Sequence, residues 1–133
     1  MFKLAPKSAP FTWPVVIPEV NDNGTVVEHR VTFAFKRFSR TAFDKVVEVE
    51  RARLRQRDPD AELSAEEALD INVEQALEYV AGWQDVTGPD DQPYEFTPEH
   101  LRELFDAFPG AFSAVQTAFL TAWNGGEAVR KNS

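Results

Sequence analysis

The chain has no cysteine among its 133 residues, which excludes disulfides and thiolate metal sites and makes the reducing cytosol its natural compartment. Histidine is nearly as scarce. His29 and His100 stand far apart in the chain, and neither has a second ligand at metal spacing beside it, so neither nucleates a zinc site or a catalytic dyad. His29 falls in register with the apolar face of its strand, as a core or edge histidine, and His100 follows Glu99 in a first helical turn as a solvated side chain. No apolar run approaches the roughly 20 residues that cross a bilayer, and the N-terminus lacks the apolar stretch of a signal peptide. A soluble, intracellular chain without membrane association is expected.

Glycine is sparse too. The single adjacent pair, Gly125-Gly126, follows a helix, whereas a phosphate cradle must precede one. Ser8, Ser39, Ser64 and Ser113 lie in no nucleophile-elbow context. The paired acids Glu66-Glu67 and Asp90-Asp91 suit helix starts, where carboxylates favour the helix dipole. Asp85 to Asp91 supplies three aspartates around Gly88 without the alternation of a calcium loop. No catalytic, cofactor-binding or metal site is expected, and the chain reads as a non-enzyme.

Hydrophobic and charged residues are in ordinary globular proportion, and the length suits one domain. The net charge of −8 is unevenly spread. Lys36 to Arg57 holds eight basic and three acidic residues, a net +5, while Asp58 to Asp106 holds fifteen acids against Arg102 alone, a net −14. A basic and an acidic helix side by side in one monomer is the simplest arrangement. Head-to-tail self-association and docking on a charged partner are the alternatives. Arg51, Arg53, Arg55 and Arg57 step by two, which scatters them around a helix instead of making a stripe for nucleic acid. An acidic mimic of DNA is a further reading of the −14 segment.

Met1 to Pro10 lacks periodicity and is expected as a flexible N-terminal arm, residues 11–126 as a single domain, and 127–133 as a flexible C-terminal tail. Thr12 to Val20 reads as an edge strand, because Pro14 and Pro18 cannot donate to a ladder. Asn21-Asp22-Asn23-Gly24 is a turn, and Thr25 to Lys36 alternates with Val27, Val31, Phe33 and Phe35 on one face. A capping box at Thr41-Ala42-Phe43-Asp44 predicts a helix to about Arg57 with Phe43, Val46, Val47 and Leu54 inward. A second at Ser64-Ala65-Glu66-Glu67 predicts one carrying Leu69, Val73, Ala76, Leu77, Val80 and Trp83. Thr97-Pro98 starts a third, with Leu101, Leu104, Phe105 and Phe108 inward. After Pro109-Gly110 a fourth carries Phe112, Val115, Phe119 and Trp123 until Asn124-Gly125-Gly126. The fold class is α+β: an N-terminal β-hairpin followed by about four helices in a small bundle.

The chain ordered in this way resembles the tail assembly chaperones of long-tailed phages and prophages. The resemblance rests on the Met1-Phe2-Lys3-Leu4 arm, the hairpin ending Phe33-Ala34-Phe35-Lys36-Arg37-Phe38-Ser39, and Val80-Ala81-Gly82-Trp83 with Val86. Phe96-Thr97-Pro98-Glu99 with Leu101 and Leu104, and the Pro109-Gly110 helix, complete it. It implies a protein that binds the tape measure protein, keeps it soluble during tail assembly, and leaves before the virion is finished. It also implies a longer frameshifted form that recruits the tail tube protein; self-association into an oligomer and a place in the host bacterial cytoplasm are expected beside it. Lys131-Asn132 can be encoded by a slippery heptamer. Eleven Phe and three Trp exceed the needs of a small core, so Trp83, Phe105, Phe108, Phe112, Phe119 and Trp123 are the candidate partner-binding residues. The rival class is a structural tail-completion or head–tail connector component that persists in the particle.

Overall fold

A computed structural model describes residues 1–5 and 7–125. The C-terminal tail and Gly126 lie outside the described residues. Strand β1 (Phe11–Val20) and strand β2 (Val26–Phe35) form an antiparallel hairpin in continuous register from Phe11↔Phe35 to Val20↔Val26. Gly24 takes φ +82° at the turn, where a side chain would be strained. Asn21 Oδ1 accepts from the backbone N–H of Thr25 at 2.9 Å and closes the loop.

Helix α1 (Arg40–Arg55), helix α2 (Ala65–Leu77), strand β3 (Val80–Gln84), helix α3 (Pro98–Ala107) and helix α4 (Ala111–Trp123) follow. Strand β3 corrects the expectation of a lone hairpin. It pairs antiparallel with β2, Phe33 against Trp83 and Ala34 against Gly82, so β2 is the centre of a three-stranded sheet ordered β1-β2-β3. The predicted second helix therefore stops at Leu77, and Val80 and Trp83 belong to a strand. Apolar spacing alone would carry the helix onward. Tyr79, Val80 and Trp83 are strand-favouring types, Gly82 costs a helix about 1 kcal/mol, and the open edge of β2 supplies hydrogen bonds that decide the matter. Lys36 ties the junction: its backbone N–H donates to Tyr79 O at 2.9 Å and its Nζ to Leu77 O at 3.0 Å.

The inner face of the hairpin carries Val15, Ile17, Phe33 and Phe35, all buried, against Leu101 and Phe105 of α3 and Ala111, Val115 and Phe119 of α4. Burying a side chain such as Phe33 or Phe35 is worth about 1.5–3 kcal/mol. Val27 shares that face but is exposed. Ser64 and Thr97 cap α2 and α3 as the sequence predicts, accepting from Glu67 N at 3.1 Å and His100 N at 3.0 Å.

Helix α1 departs from its prediction at both ends of the argument. Its N-cap is Ser39, which accepts from Ala42 N at 3.2 Å, and not Thr41. An extended Ser39 satisfies an orphan donor two residues earlier, which leaves Thr41 inside the first turn. None of its residues is buried: Phe43, Val46 and Val47 are half-buried, and Leu54 is exposed. Basic α1 and acidic α2 meet within the molecule, where Arg53 of α1 reaches Glu74 of α2 at 3.6 Å and Glu78, the C-cap of α2, at 4.0 Å.

Candidate partner-binding surfaces

The six aromatic candidates fall into three places. Trp83 and Phe108 flank a recess between β3, α3 and the 85–96 loop. Phe105 and Phe112 meet edge-on at 5.6 Å between α3 and α4, with Phe105 buried and Phe112 half-buried. Phe119 and Trp123 lie under α1: Phe119 is buried in the core, and Trp123 stacks on Phe43 with ring centres 4.3 Å apart. Of the six, Trp83, Phe108, Phe112 and Trp123 are half-buried.

The first recess is built by a loop that the sequence shows only as polar. Thr87 bridges to Pro93, Tyr94 N donates to Val86 O at 2.8 Å, and the loop folds back on itself as a short hairpin. Gly88 permits the closure, since a Cβ there would stand 2.7 Å from the Tyr94 ring. Asp85 and Asp91 take positive φ, +58° and +60°, a conformation that short polar residues tolerate. Tyr94 in turn stacks on His100 with ring centres 3.7 Å apart and donates its hydroxyl hydrogen to the Glu103 carboxylate. That bond, first of all, raises the Tyr94 hydroxyl above its ordinary pKa.

His100 is therefore not the solvated residue that the sequence suggests. Its Nδ1 lies 2.6 Å from Glu95 O, and a carbonyl can only accept, so Nδ1 carries the proton. His29 is half-exposed beside Glu19, Nε2 to Oε1 2.9 Å, with its ring edge-on to Phe108 at 5.9 Å. Trp83 is held in place: its Nε1 donates to Tyr94 O at 2.8 Å, and its ring meets Phe96 edge-on at 5.2 Å. The recess between Trp83 and Phe108 encloses about 240 Å³, and a neighbouring one bounded by Trp83, Val86, Tyr94, Phe96 and His100 about 870 Å³.

A second apolar groove, which sequence reasoning missed, runs between α1 and the body and encloses about 200 Å³. Tyr79 lines it. Burial pushes the Tyr79 hydroxyl pKa up, and among the described residues its oxygen has no hydrogen-bond partner. The available signal was a tyrosine at the end of a helix pattern, which by spacing alone is indistinguishable from core.

Among the described residues, no three His, Cys, Asp or Glu side chains are grouped to hold a metal ion, and no helix is long and apolar enough to cross a membrane. Fixed aromatic rings at open recesses are the usual anchors of protein recognition. Residues 1–129 match the family described as phage tail assembly chaperone, and the chain belongs to that family. No curated protein and no solved structure matches it.

Proposed function

We propose that this chain binds the tape measure protein and keeps that long, helical, apolar molecule soluble while the tail is assembled. The observation that carries the reading is the family match over nearly the whole chain, and the partly exposed rings of Trp83, Phe108, Phe112 and Trp123 give it physical means. An apolar client helix gains most from rigid aromatic anchors, which lose little side-chain entropy on contact. Phe105 and Phe119 support these anchors from within the core. The chaperone acts without catalysis, as an oligomer in the host cytoplasm, and is absent from the finished virion. A longer frameshifted form recruits the tail tube protein.

Co-expression with the tape measure protein tests this. The client should become soluble and co-purify with the chain, and Trp83→Ala with Phe108→Ala should reduce its recovery. A client that stays insoluble beside a well-folded chain would defeat the proposal. Mass spectrometry of purified virions should find the chain missing or in trace.

A further inference from the structure

We infer that the surface of α2 and α4 beneath α1 is a receptor for an amphipathic helix of a partner protein, one with a basic side chain beside its apolar stripe. Helix α1 occupies that surface as a displaceable internal stand-in. The inference deepens the tape measure reading and rests on it only for the identity of the partner.

Four observations converge. Helix α1 is sixteen residues long and buries none of them, while Val49 and Leu54 are about half exposed. Its Val46, Val47 and Leu54 face Tyr79, Phe119 and Leu120 across the 200 Å³ groove, which α1 covers without filling. The Tyr79 side chain is 8% exposed, its hydroxyl oxygen is fully buried, and it has no partner among the described residues. A buried, unpaired hydroxyl is costly, and it marks where an incoming polar side chain gains a hydrogen bond. On the side of the groove away from α1 the charges are acidic: Glu74 of α2 and Glu78 at its C-cap are met from α1 by Arg53, which also pairs with Glu50 of its own helix at 2.9 Å.

An incoming helix that takes the place of α1 must therefore offer apolar residues to Phe119 and Leu120 and a cation to Glu74 and Glu78. The Arg53 pairs are solvent-exposed and hold α1 only weakly. The firm attachment is at one end, where Phe43 stacks on Trp123 and meets Phe119 at 5.9 Å. Segments 36–39 and 56–64 tether α1 on either side, so it swings aside without leaving the chain.

Two measurements on the full chain test the inference without the tape measure protein. In hydrogen exchange on the wild-type protein, α1 amides should exchange at least about tenfold faster than those of α2 and α4. Exchange of α1 in step with α4 would overturn the proposal. The second uses a fluorescent peptide of residues 40–55 as the probe. Tethered α1 competes at an effective concentration on the order of millimolar, so the intact chain should bind the peptide poorly. A Val46→Ser, Val47→Ser chain should bind it at least about tenfold more tightly, and adding Glu74→Gln and Glu78→Gln should cost about two- to fivefold. No peptide binding by a loosened chain whose α4 remains protected would sink the idea. A dimer in which α1 becomes protected as concentration rises would assign the groove to a second copy and equally overturn it. Failure of either measurement leaves the co-expression result standing, and failure of co-expression leaves the receptor surface intact.

Discussion

Helices α1 and α4 make an instructive pair. Helix α4 has no charged residue and no side-chain N-cap, only Gly110 before it, yet it buries Ala111, Val115 and Phe119 against the sheet. Helix α1 is three residues longer and well capped by Ser39, and it buries nothing. Capping, length and salt bridges make a helix, but burial of an apolar stripe attaches it. Stability should therefore be concentrated in the α4 half of the molecule, with α1 as a separately opening element.

The sharpest way to break the comparison is at Phe119, which meets Phe35, Tyr79 and Phe43. Phe119→Ala should cost about 3–5 kcal/mol of global stability in urea unfolding. A loss below about 1 kcal/mol would mean that α4 is not the anchor. Phe43→Ala removes a ring of the same size from α1 and should cost about 1–2 kcal/mol. Hydrogen exchange should show that loss in α1 amides, with α4 unaffected.

The smallest effect has the opposite sign. Tyr79→Phe deletes an unpartnered buried hydroxyl and should leave stability unchanged or raise it by about 1 kcal/mol near neutral pH. The native Tyr79 pKa lies above its ordinary value of 10.0, so the folded chain keeps a proton that the unfolded chain releases. Wild-type stability from this group is therefore intact below pH 10 and declines above it, at most by about 1.4 kcal/mol per pH unit. The advantage of Tyr79→Phe should widen above pH 10 in thermal melts. A gap that stays constant with pH would show that the hydroxyl is solvated in the native state.

Local signals were legible in the sequence and long-range ones were not. Alternation, the Asn21–Gly24 turn, and the caps at Ser64 and Thr97 each depend on a few consecutive residues, and the structure has them where expected. Strand β3 was hidden, because Val73, Ala76, Leu77, Val80 and Trp83 keep helical spacing and only the distant edge of β2 makes the last two a strand. The same limit applies to the candidate surfaces. Trp83 and Phe108 stood out as aromatics, but their recess depends on Tyr94 folding onto His100, and the groove at Tyr79 depends on where α1 comes to rest.

The two prolines of β1 have a consequence for colloidal behaviour. Pro14 and Pro18 pair with Thr32 and Glu28 on an edge strand, and an even spacing puts both nitrogens on the same side of it. A ladder tolerates proline only where no donor is required, which places that side outward. A strand from another chain approaching this edge finds two donors missing within five residues and cannot zip up a continuous ladder. The β1 edge of the sheet is thus shielded from templating cross-β growth at high concentration.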